Sequence, residues 1–309
     1  MTYSPASSPA LGGKKYPKVF LVILNHNGTA TIKQCLSAVF LSNYPNLETV
    51  AVDNGSTDGS LEIIKTFFQK CPLISNKKSV GQAAGFNMGI RLALEKMADY
   101  ILLLDNRIIL TKETLSQMVE IAEKEKNIGI FSPLFLENNF GNILSPERKI
   151  NWLKMEIEKN SKPFAKENGT RFRKIQLVDG HAMLIQKEVF KEVELLDENF
   201  FSFYWDIDFC FRAQKKGIVI GIIPNITPGI ITHKITAEKN EIYWKIVSRL
   251  IFFKKNSPFL LIPWTFLYFF MQKLKVRFNL FFKPGSLLSL ANRAYKDYTQ
   301  WKKNSSSLS

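Results

Sequence analysis

The sequence predicts an α/β protein with a mostly parallel central sheet flanked by helices. Apolar, partly β-branched runs occur at 19–24, 47–53 and 101–110, and stretches with helical periodicity separate them. Strands that alternate with helices imply βαβ units, and hence parallel pairing. The chain has 309 residues, of which 46% are hydrophobic, so it is long enough and apolar enough to bury a full core.

The first two predicted strands both end in polar residues. VFLVIL is followed by Asn25, His26 and Asn27, and LETVAVD ends at Asp53. Ligands of parallel sheets bind beyond the carboxyl ends of the strands, so these four residues are expected on one rim. Asp53 is either a turn former that caps the next helix or an acceptor for the imide N–H of a pyrimidine base. Asn25 and His26 are either turn residues or part of the same base site.

A helical pattern covers about 82–97, and three glycines at intervals of four residues, Gly81, Gly85 and Gly89, lie just before it and within it. This spacing places them on one face of the helix, where close packing against the sheet is the simpler explanation. Asn87 lies off that face and is placed to reach a sugar or a phosphate instead.

The third predicted strand, ILLLDNRIIL, interrupts its apolar run with Asp105, Asn106 and Arg107. By the same argument these side chains join the rim formed by the first two strands. A second carboxylate at position 107 would complete a metal clamp, but the sequence has an arginine there.

The middle of the chain is less regular. Residues 137–176 have weak periodicity and many charges, and we predict a long insertion or flexible flap there. HAMLIQKEVF then indicates a strand followed by a helix, FYWDIDFCFRAQKKG a helix, and IVIGIIP and GIITH two short strands.

Two carboxylates in the helix FYWDIDFCFRAQKKG have different predicted roles. Asp208 and Arg212 are four residues apart, which predicts a structural ion pair. Asp206 lies roughly 200° around the helix axis from Asp208 and therefore points elsewhere. It is either the N-cap of the helix or a general base whose pKa is raised by the aromatic side chains before it.

The formal net charge of +15 suggests an anionic partner, either nucleic acid, a phosphorylated substrate or a membrane surface. Residues 236–309 contain 13 Lys and Arg against 3 Asp and Glu, interleaved with aromatic side chains. This pattern suits a helix lying on an anionic membrane surface, and a helical subdomain packed on the core is the alternative. We expect no nucleic acid partner, because no RNA-binding motif accompanies the charge.

Several common sites are excluded by sequence. No G-x-G-x-x-G follows the first strand, and neither a P-loop nor a G-x-S-x-G elbow occurs. The three cysteines are far apart and lack C-x-x-C spacing, which indicates buried reduced thiols in a cytosolic chain rather than a disulfide or zinc framework.

The order of these pieces resembles the family 2 glycosyltransferases of the GT-A fold, especially their rhamnosyltransferase-like members. The resemblance covers about residues 17–235. The stretches that carry it are VFLVILNHNG, ETVAVDNGSTDGS, SVGQAAGFNMGIR, YILLLDNRIIL, VDGHAMLIQKEVF, LLDENFFSFYWDIDFCFRAQKKG and ITHKIT.

The resemblance implies inverting transfer from a nucleotide-diphosphosugar, such as a UDP-sugar or a dTDP-sugar including dTDP-rhamnose. It implies a glycan or polyprenyl lipid-linked acceptor in cell-surface polysaccharide synthesis. On the family pattern, Asn25–Asn27 and Asp53 hold the base and ribose, and 105–107 meet the pyrophosphate. Asp206 matches the residue that deprotonates the acceptor hydroxyl, and His233 matches a histidine sometimes found near the metal.

Two residues depart from the family pattern. The third position of 105–107 is usually an Asp that binds Mg²⁺ or Mn²⁺, whereas here it is Arg107, and Trp205 replaces a Glu that commonly precedes the base. Either Arg107 substitutes for the cation, since a guanidinium can brace a diphosphate, or the metal site and the activity are lost, leaving a sugar-nucleotide-binding or scaffold protein. Asp105 and His233 alone would make a poor two-ligand metal site.

The sequence thus predicts a flexible leader at 1–16, a GT-A domain at 17–235 and a helical, membrane-surface-associating region at 236–309. The expected location is cytoplasmic, peripheral at the inner face of the plasma membrane. A nucleotide-sugar pyrophosphorylase would share this architecture, but it needs a Gly-rich, Arg-bearing loop after the first strand, which NHNGTATIK does not supply.

Overall fold

The computed structural model describes residues 16–137, 142–159, 172–231, 241–282 and 285–305. The strands are β1 (Val19–Asn25), β2 (Leu47–Asp53), β3 (Leu73–Ser75), β4 (Tyr100–Asp105), β5 (Ile108–Ile109), β6 (Ile128–Pro133), β7 (Phe135–Glu137), β8 (Ile143–Leu144), β9 (Glu147–Asn151), β10 (Glu156–Lys159), β11 (Arg173–Ile175), β12 (Leu177–Val178), β13 (Ala182–Gln186), β14 (Val219–Ile223) and β15 (Gly229–Ile230). The helices are α1 (Ile32–Phe40), α2 (Ser60–Phe67), α3 (Gln82–Glu95), α4 (Thr114–Lys124), α5 (Lys187–Val193), α6 (Trp205–Lys215), α7 (Glu241–Asn256), α8 (Ile262–Phe282) and α9 (Ser286–Ser305), and a 3₁₀ turn at Phe259–Leu261 precedes α8.

The central sheet has eight strands in the order β11-β14-β6-β13-β4-β1-β2-β3. Strands β3, β2, β1 and β4 are mutually parallel, and β14 is parallel to β6. Strand β13 runs antiparallel to both of its neighbours, with Ala182 opposite Leu104. The predicted α/β class is confirmed, and the reversed β13 brings the residues that precede it to the carboxyl end of β4.

The first strand shows why a continuous apolar run belongs in this sheet. All seven residues of β1 are buried, and alternate residues of 19–24 pack into two different apolar cores. One core includes side chains from α3, α6 and α7, and the other includes side chains from α1 and α4. Helices therefore cover both faces of the sheet, and the strand needs no polar face.

The glycines of α3 allow this helix to lie close to β1. A Cβ atom on Gly85 would lie 2.6 Å from Leu24 Cδ1, and one on Gly89 would lie 2.2 Å from Val22 Cγ1. The packing interpretation of the glycine spacing is confirmed for these two residues. Gly81 precedes the helix with a φ of +92°, a conformation that favours glycine.

The prediction of a flexible flap over 137–176 is wrong for the residues that the structure describes there. Strands β10, β9 and β12 form a three-stranded antiparallel sheet, and β7 and β8 join β5 and β15 in a four-stranded sheet. Trp152, next to β9, contacts Phe211, Phe252 and Phe253. Residues 138–141 and 160–171 of this region lie outside the described residues.

Helix α7 belongs to the main core. Phe252 and Phe253 are fully buried there, and Leu250 is 1% exposed. This part of the basic C-terminal region therefore follows the alternative of a helical subdomain packed on the catalytic core. Among the helices that lie in the described ranges, none combines the length and the hydropathy that membrane crossing requires.

Candidate active site

A buried polar network ties three strand ends together. Asn25 is fully buried, and its Nδ2 donates to Asp53 Oδ1 at 2.8 Å and to Ser60 Oγ at 2.9 Å. Its Oδ1 accepts a hydrogen bond from Asn106 Nδ2 at 2.8 Å. Asp53 is also fully buried and accepts the Ser56 backbone N–H at 3.1 Å, which is the geometry of a turn former. These polar atoms therefore fix the relative positions of β1, β2 and β4.

His26 and Asn27 form the outer part of this rim. His26 Nδ1 lies 3.0 Å from the Asn54 backbone oxygen. Asn27 is exposed, has a φ of 51°, and accepts the Thr57 N–H on its Oδ1 at 2.9 Å. A Cβ at Gly28 would lie 2.1 Å from Asn106 Nδ2, so glycine is needed for the chain to pass this close to the network.

Arg107 pairs with Asp105. Arg107 Nε donates to Asp105 Oδ1 and Nη2 to Oδ2, each at 2.8 Å, and the Arg107 backbone N–H donates to Oδ1 at 2.9 Å. Both side chains are partly exposed. Burial raises the pKa of Asp105, but the hydrogen bonds and charge of Arg107 outweigh burial, and the pKa lies below its usual value. Asp105 is therefore an ionised carboxylate with both oxygens already bound.

The described residues do not fit a Mg²⁺ or Mn²⁺ site. Arg107 occupies the carboxylate oxygens of Asp105 that a divalent cation would need. Within the described ranges, no group of three or more His, Cys, Asp or Glu side chains is arranged to hold a metal ion. The expected second ligand, His233, lies outside the described residues.

A second charged group, which the sequence argument missed, adjoins Asp105. His181 Nδ1 lies 2.5 Å from Asp179 Oδ1, and Arg148 Nη2 forms an ion pair with Asp179 Oδ2. The Asp105 backbone N–H donates to the His181 carbonyl at 2.9 Å. In the sequence, VDGH is a polar break directly before a strand. It predicts a place on the rim only if β13 is known to run antiparallel to β4.

These neighbours shift the pKa of both side chains. Burial lowers the pKa of His181, but the attraction of Asp179, their hydrogen bond and the charge of Asp105 outweigh burial, so the pKa is raised. Burial raises the pKa of Asp179, but His181 and Arg148 outweigh it, so the pKa is lowered. The raised pKa of His181 therefore favours the imidazolium form next to the Asp105–Arg107 pair.

Asp206 faces this charged group from the start of α6. Tyr204 occupies the N-cap, so the alternative that Asp206 is the N-cap is wrong. Asp206 Oδ2 accepts the Gly180 N–H at 2.6 Å, and Oδ1 accepts the Ile207 N–H at 2.8 Å. Burial and the negative charge of Asp179 raise the pKa of Asp206 to about 6. A carboxylate with this pKa is ionised at neutral pH and more basic than an ordinary one, as a general base requires.

Trp205 holds the start of α6 in place. A Cβ at Gly180 would lie 2.3 Å from Trp205 Cζ2, so only glycine fits beneath the indole ring. The indole Nε1 donates to Gln82 Oε1 at 2.9 Å, which ties α6 to the first residue of α3. The aromatic residue at this departure from the family pattern therefore positions Asp206 and Gly180 against each other.

Two residues of the sequence argument lie away from the rim. Asn87 is buried, donates to the Leu196 carbonyl and to Glu198 Oε1 at 2.9 Å each, and accepts the Leu196 N–H at 3.1 Å. The structure therefore does not bring Asn87 together with the rim residues. Asp208 is fully buried and pairs with Arg212 Nε at 2.7 Å, which confirms the predicted structural ion pair.

The family model described as "Glycosyl transferase family 2" matches residues 20–194, more than half of the chain. This protein belongs to glycosyl transferase family 2. The matched range includes the rim and the Asp179–His181 group, and it ends before Asp206. The resemblance found in the sequence is therefore confirmed, whereas the role of Asp206 needs its own test.

Two curated relatives show the breadth of the family around this glycosyltransferase. The dTDP-rhamnosyl transferase RfbF of Shigella flexneri is 28% identical over 211 residues, 67% of this chain and 67% of RfbF. The low-salt glycan biosynthesis hexosyltransferase Agl10 of Haloferax volcanii is 27% identical over 218 residues, 65% of this chain and 63% of Agl10. The match thus spans about two thirds of each relative.

Solved structures confirm the GT-A fold. GalNAc-T7, crystallised with UDP, GalNAc and Mn²⁺, superposes with a TM-score of 0.60 at 17% identity, over 79% of this chain and 52% of its own. The mannosyltransferase PcManGT from Pyrobaculum calidifontis, in complex with GDP-Man and Mn²⁺, gives a TM-score of 0.55 at 15% identity, over 95% of this chain and 81% of its own. At these identities the likeness concerns the fold.

Proposed function

We propose that this family 2 glycosyltransferase transfers a sugar, with inversion, from a nucleoside diphosphate sugar to an acceptor hydroxyl, and that Asp206 is the general base. The observation that carries this proposal is the Asp206 carboxylate, which the Gly180 N–H holds at 2.6 Å beside the strand-end rim and whose pKa is raised to about 6. One basic carboxylate across from a polar rim is what single-step inverting transfer needs.

The donor base and ribose bind at the outer rim. His26 and Asn27 contact the nucleoside there, and the buried network of Asn25, Asp53 and Asn106 holds their loop rigid. A UDP-sugar or a dTDP-sugar, dTDP-rhamnose among them, is the proposed donor. The support is the similarity to a dTDP-rhamnosyl transferase and the fold shared with proteins solved with UDP and GDP-Man.

The diphosphate binds against Arg107 and His181. Arg107 carries a guanidinium, the pKa of His181 is raised, and both residues contact Asp105. A guanidinium offers several N–H donors in one plane, and it can contact phosphate oxygens while Nε and Nη2 remain on Asp105. These two side chains supply the positive charge that stabilises the leaving group, in the place where the family pattern has a metal-binding Asp.

The reaction then proceeds in one step. Asp206 accepts the proton of the acceptor hydroxyl as that oxygen attacks the anomeric carbon, on the side opposite the diphosphate. The bond between the anomeric carbon and the diphosphate oxygen breaks, and nucleoside diphosphate leaves with the bonding electron pair. Arg107 and His181 stabilise the negative charge that develops there, because hydrogen bonds to Asp105 and Asp179 hold both side chains in place before the reaction.

The acceptor is a glycan or a polyprenyl lipid-linked saccharide of the cell envelope, extended at the inner face of the plasma membrane. The name of one relative includes low-salt glycan biosynthesis, and residues 236–309 are strongly basic. We assign the catalytic domain to about 17–235, with α7 packed on it, and the association with acceptor and membrane to the rest of 236–309.

One experiment separates this function from its main alternative, a protein that binds a sugar nucleotide without turnover. UDP-, dTDP- and GDP-sugars are screened by thermal shift, with Mn²⁺ and with EDTA, because a ligand of the native state raises the melting temperature. Donors that bind are then tested for release of nucleoside diphosphate with and without acceptor lipid extract. Acceptor-dependent release supports the proposal, and binding of a donor without any release contradicts it.

A further inference from the structure

Exposed apolar side chains extend from the 3₁₀ turn along α8. Large hydrophobic side chains of the 3₁₀ turn and of α8 are exposed, among them Leu260 at 87% and Phe270 at 59%. We call this set the α8 surface. It consists of Phe259, Leu260, Phe266, Leu267, Phe270, Met271, Leu274 and Phe278.

From Phe266 onward, the exposed large hydrophobic side chains of α8 lie on one side of the helix. Thr265 and Phe269 of the same helix are buried, and Phe269 belongs to the main core. At about 100° per residue, positions 266, 267, 270, 271, 274 and 278 fall within an arc of about 140° that points away from these buried residues. The helix is thus apolar on both sides, which an ordinary surface helix is not, so the exposed side needs an explanation.

Basic residues border the α8 surface on both edges. In the same projection Lys273 lies about 20° outside one edge of the arc, Arg277 about 20° inside that edge, and Lys275 about 40° beyond the other edge. Lys254 of α7 places its Nζ 5.5 Å from the ring centre of Phe266. The sequence has no Asp or Glu between Glu241 and Asp297, so the border carries positive charge alone.

We infer that the α8 surface inserts into the interface of an anionic lipid bilayer, with α8 parallel to the membrane plane. An apolar arc flanked by Lys and Arg matches this environment, because the apolar side chains enter the acyl boundary while the cations contact anionic headgroups. A second copy of this chain fits less well, since a symmetric contact would bring two positive borders together. The described helices also do not favour a transmembrane placement.

The α8 surface is connected to the active site through a short series of contacts. Trp264 Nε1 donates to the Leu153 carbonyl at 2.9 Å, in the turn between β9 and β10. Arg249 Nη2 donates to the Tyr268 hydroxyl at 2.9 Å, and Arg249 Nε bonds the Met155 carbonyl in that turn. Strand β9 carries Arg148, which pairs with Asp179. Membrane-bound α8 therefore holds the Asp179–Asp206 region at a fixed distance from the bilayer.

The test is co-sedimentation of the full chain with vesicles of phosphatidylcholine alone or of phosphatidylcholine and phosphatidylglycerol in equal parts. Binding is expected to the anionic vesicles and to weaken with salt. The triple variant L267Q/F270Q/L274Q should lose at least about tenfold in partition to anionic vesicles. The variant K273Q/K275Q/R277Q should lose the preference for anionic over neutral vesicles.

A matched control removes three exposed apolar side chains elsewhere. L41Q/F67Q/M97Q alters residues that are 69%, 60% and 78% exposed, and it should bind vesicles like the wild type. Thermal melts of each variant verify folding. The shift in melting temperature caused by a soluble nucleotide sugar should be unchanged in all of them, so failure of lipid binding is distinguishable from failure of the proposed transferase function.

Insertion is measured directly with an environment-sensitive fluorophore on F270C. The native cysteines Cys35, Cys71 and Cys210 are all buried, so an introduced surface thiol is labelled selectively. A blue shift with anionic vesicles is expected at position 270 and none at E62C on the exposed side of α2. Two results would overturn the inference. One is an unshifted emission of the probe at position 270, and the other is a wild type that does not sediment with vesicles but dimerises through the α8 surface in light scattering.

Discussion

Arg107 binds both carboxylate oxygens of Asp105, with Nε and Nη2 each 2.8 Å from their acceptors. The two residues are only two positions apart, at the end of β4. In this arrangement Asp105 is ionised and paired with Arg107, so the strand end offers the remaining N–H donors of a guanidinium where the family pattern offers a second carboxylate. The proposed recognition of the diphosphate depends on this pair.

The first prediction concerns metal dependence. Because Arg107 occupies the oxygens of Asp105, wild-type transfer should persist in EDTA. R107A should lower turnover by about 10²-fold or more, the usual effect of removing one donor to a developing negative charge. The measurement is nucleoside diphosphate release in EDTA and in Mn²⁺, with R91A, an exposed arginine paired to Glu198, as control. The role of Arg107 in place of a metal ion would be refuted by either of two results. One is wild-type transfer that requires a divalent cation, and the other is faster turnover of R107D than of the wild type in EDTA.

The second prediction is the pH dependence of the reaction. The base must be deprotonated, and burial together with Asp179 raises the pKa of Asp206 to about 6. The kcat/KM value should therefore fall as the pH drops below about 6 and be level just above it. D179N removes one cause of the raised pKa, so its acidic limb should move to lower pH. E62Q changes a remote, exposed residue and should leave the acidic limb of the kcat/KM profile unchanged. If that limb does not move in D179N, a group other than Asp206 is being titrated.

The third prediction concerns how α7 is attached to the core. Asp208 is fully buried, and its carboxylate contacts Arg212 Nε at 2.7 Å and Lys255 Nζ at 3.0 Å. D208A leaves these charges without their buried partner, so we expect it to lower the free energy of unfolding by about 3–5 kcal/mol. E62A, which breaks the exposed pair with Lys65, should change it by no more than about 1 kcal/mol. Urea melts measure both, and equal small effects would argue that Asp208 is not a tether.

The fourth prediction tests the close contact of α3 with β1. G89A gains about 1 kcal/mol of helix propensity, but its Cβ would lie 2.2 Å from Val22 Cγ1 in a fully buried site. Overpacking of this kind costs about 1–3 kcal/mol, so we expect net destabilisation in urea melts. V22A shortens the neighbouring side chain. The G89A substitution should therefore cost less stability when it is added to V22A than when it is added to the wild type. Additive losses in the double variant would mean that the contact is absent.

The sequence alone predicts those features of the fold and of the site that depend on local pattern. Strands β1, β2 and β4 are recognisable because a strand covered on both faces must be apolar along its whole length. The Asp208–Arg212 pair follows from helical spacing, and the glycines of α3 follow from the need for close packing. The polar residues at the ends of these strands meet on one rim because parallel strands end on the same side of the sheet.

Features that depend on long-range pairing could not be predicted in this way. Asp179 and His181 join the rim only because β13 runs antiparallel to β4, and no local pattern encodes that direction. The strands within residues 137–176 are short, and several of them pair with strands outside this segment, such as β11 with β14 and β9 with β12, so no local pattern reveals their partners. Asn87 bonds Leu196 and Glu198, which are more than 100 residues away along the chain, so its position off the glycine face of α3 does not reveal these partners.

The most direct test of the proposed mechanism is sugar transfer by D206N. The variant keeps the shape of the side chain but has no basic carboxylate, so transfer should fall by at least about 10²-fold while the donor still raises the melting temperature as in the wild type. Turnover within about threefold of the wild type, with donor binding intact, would show that Asp206 is not the general base and would contradict the proposed mechanism.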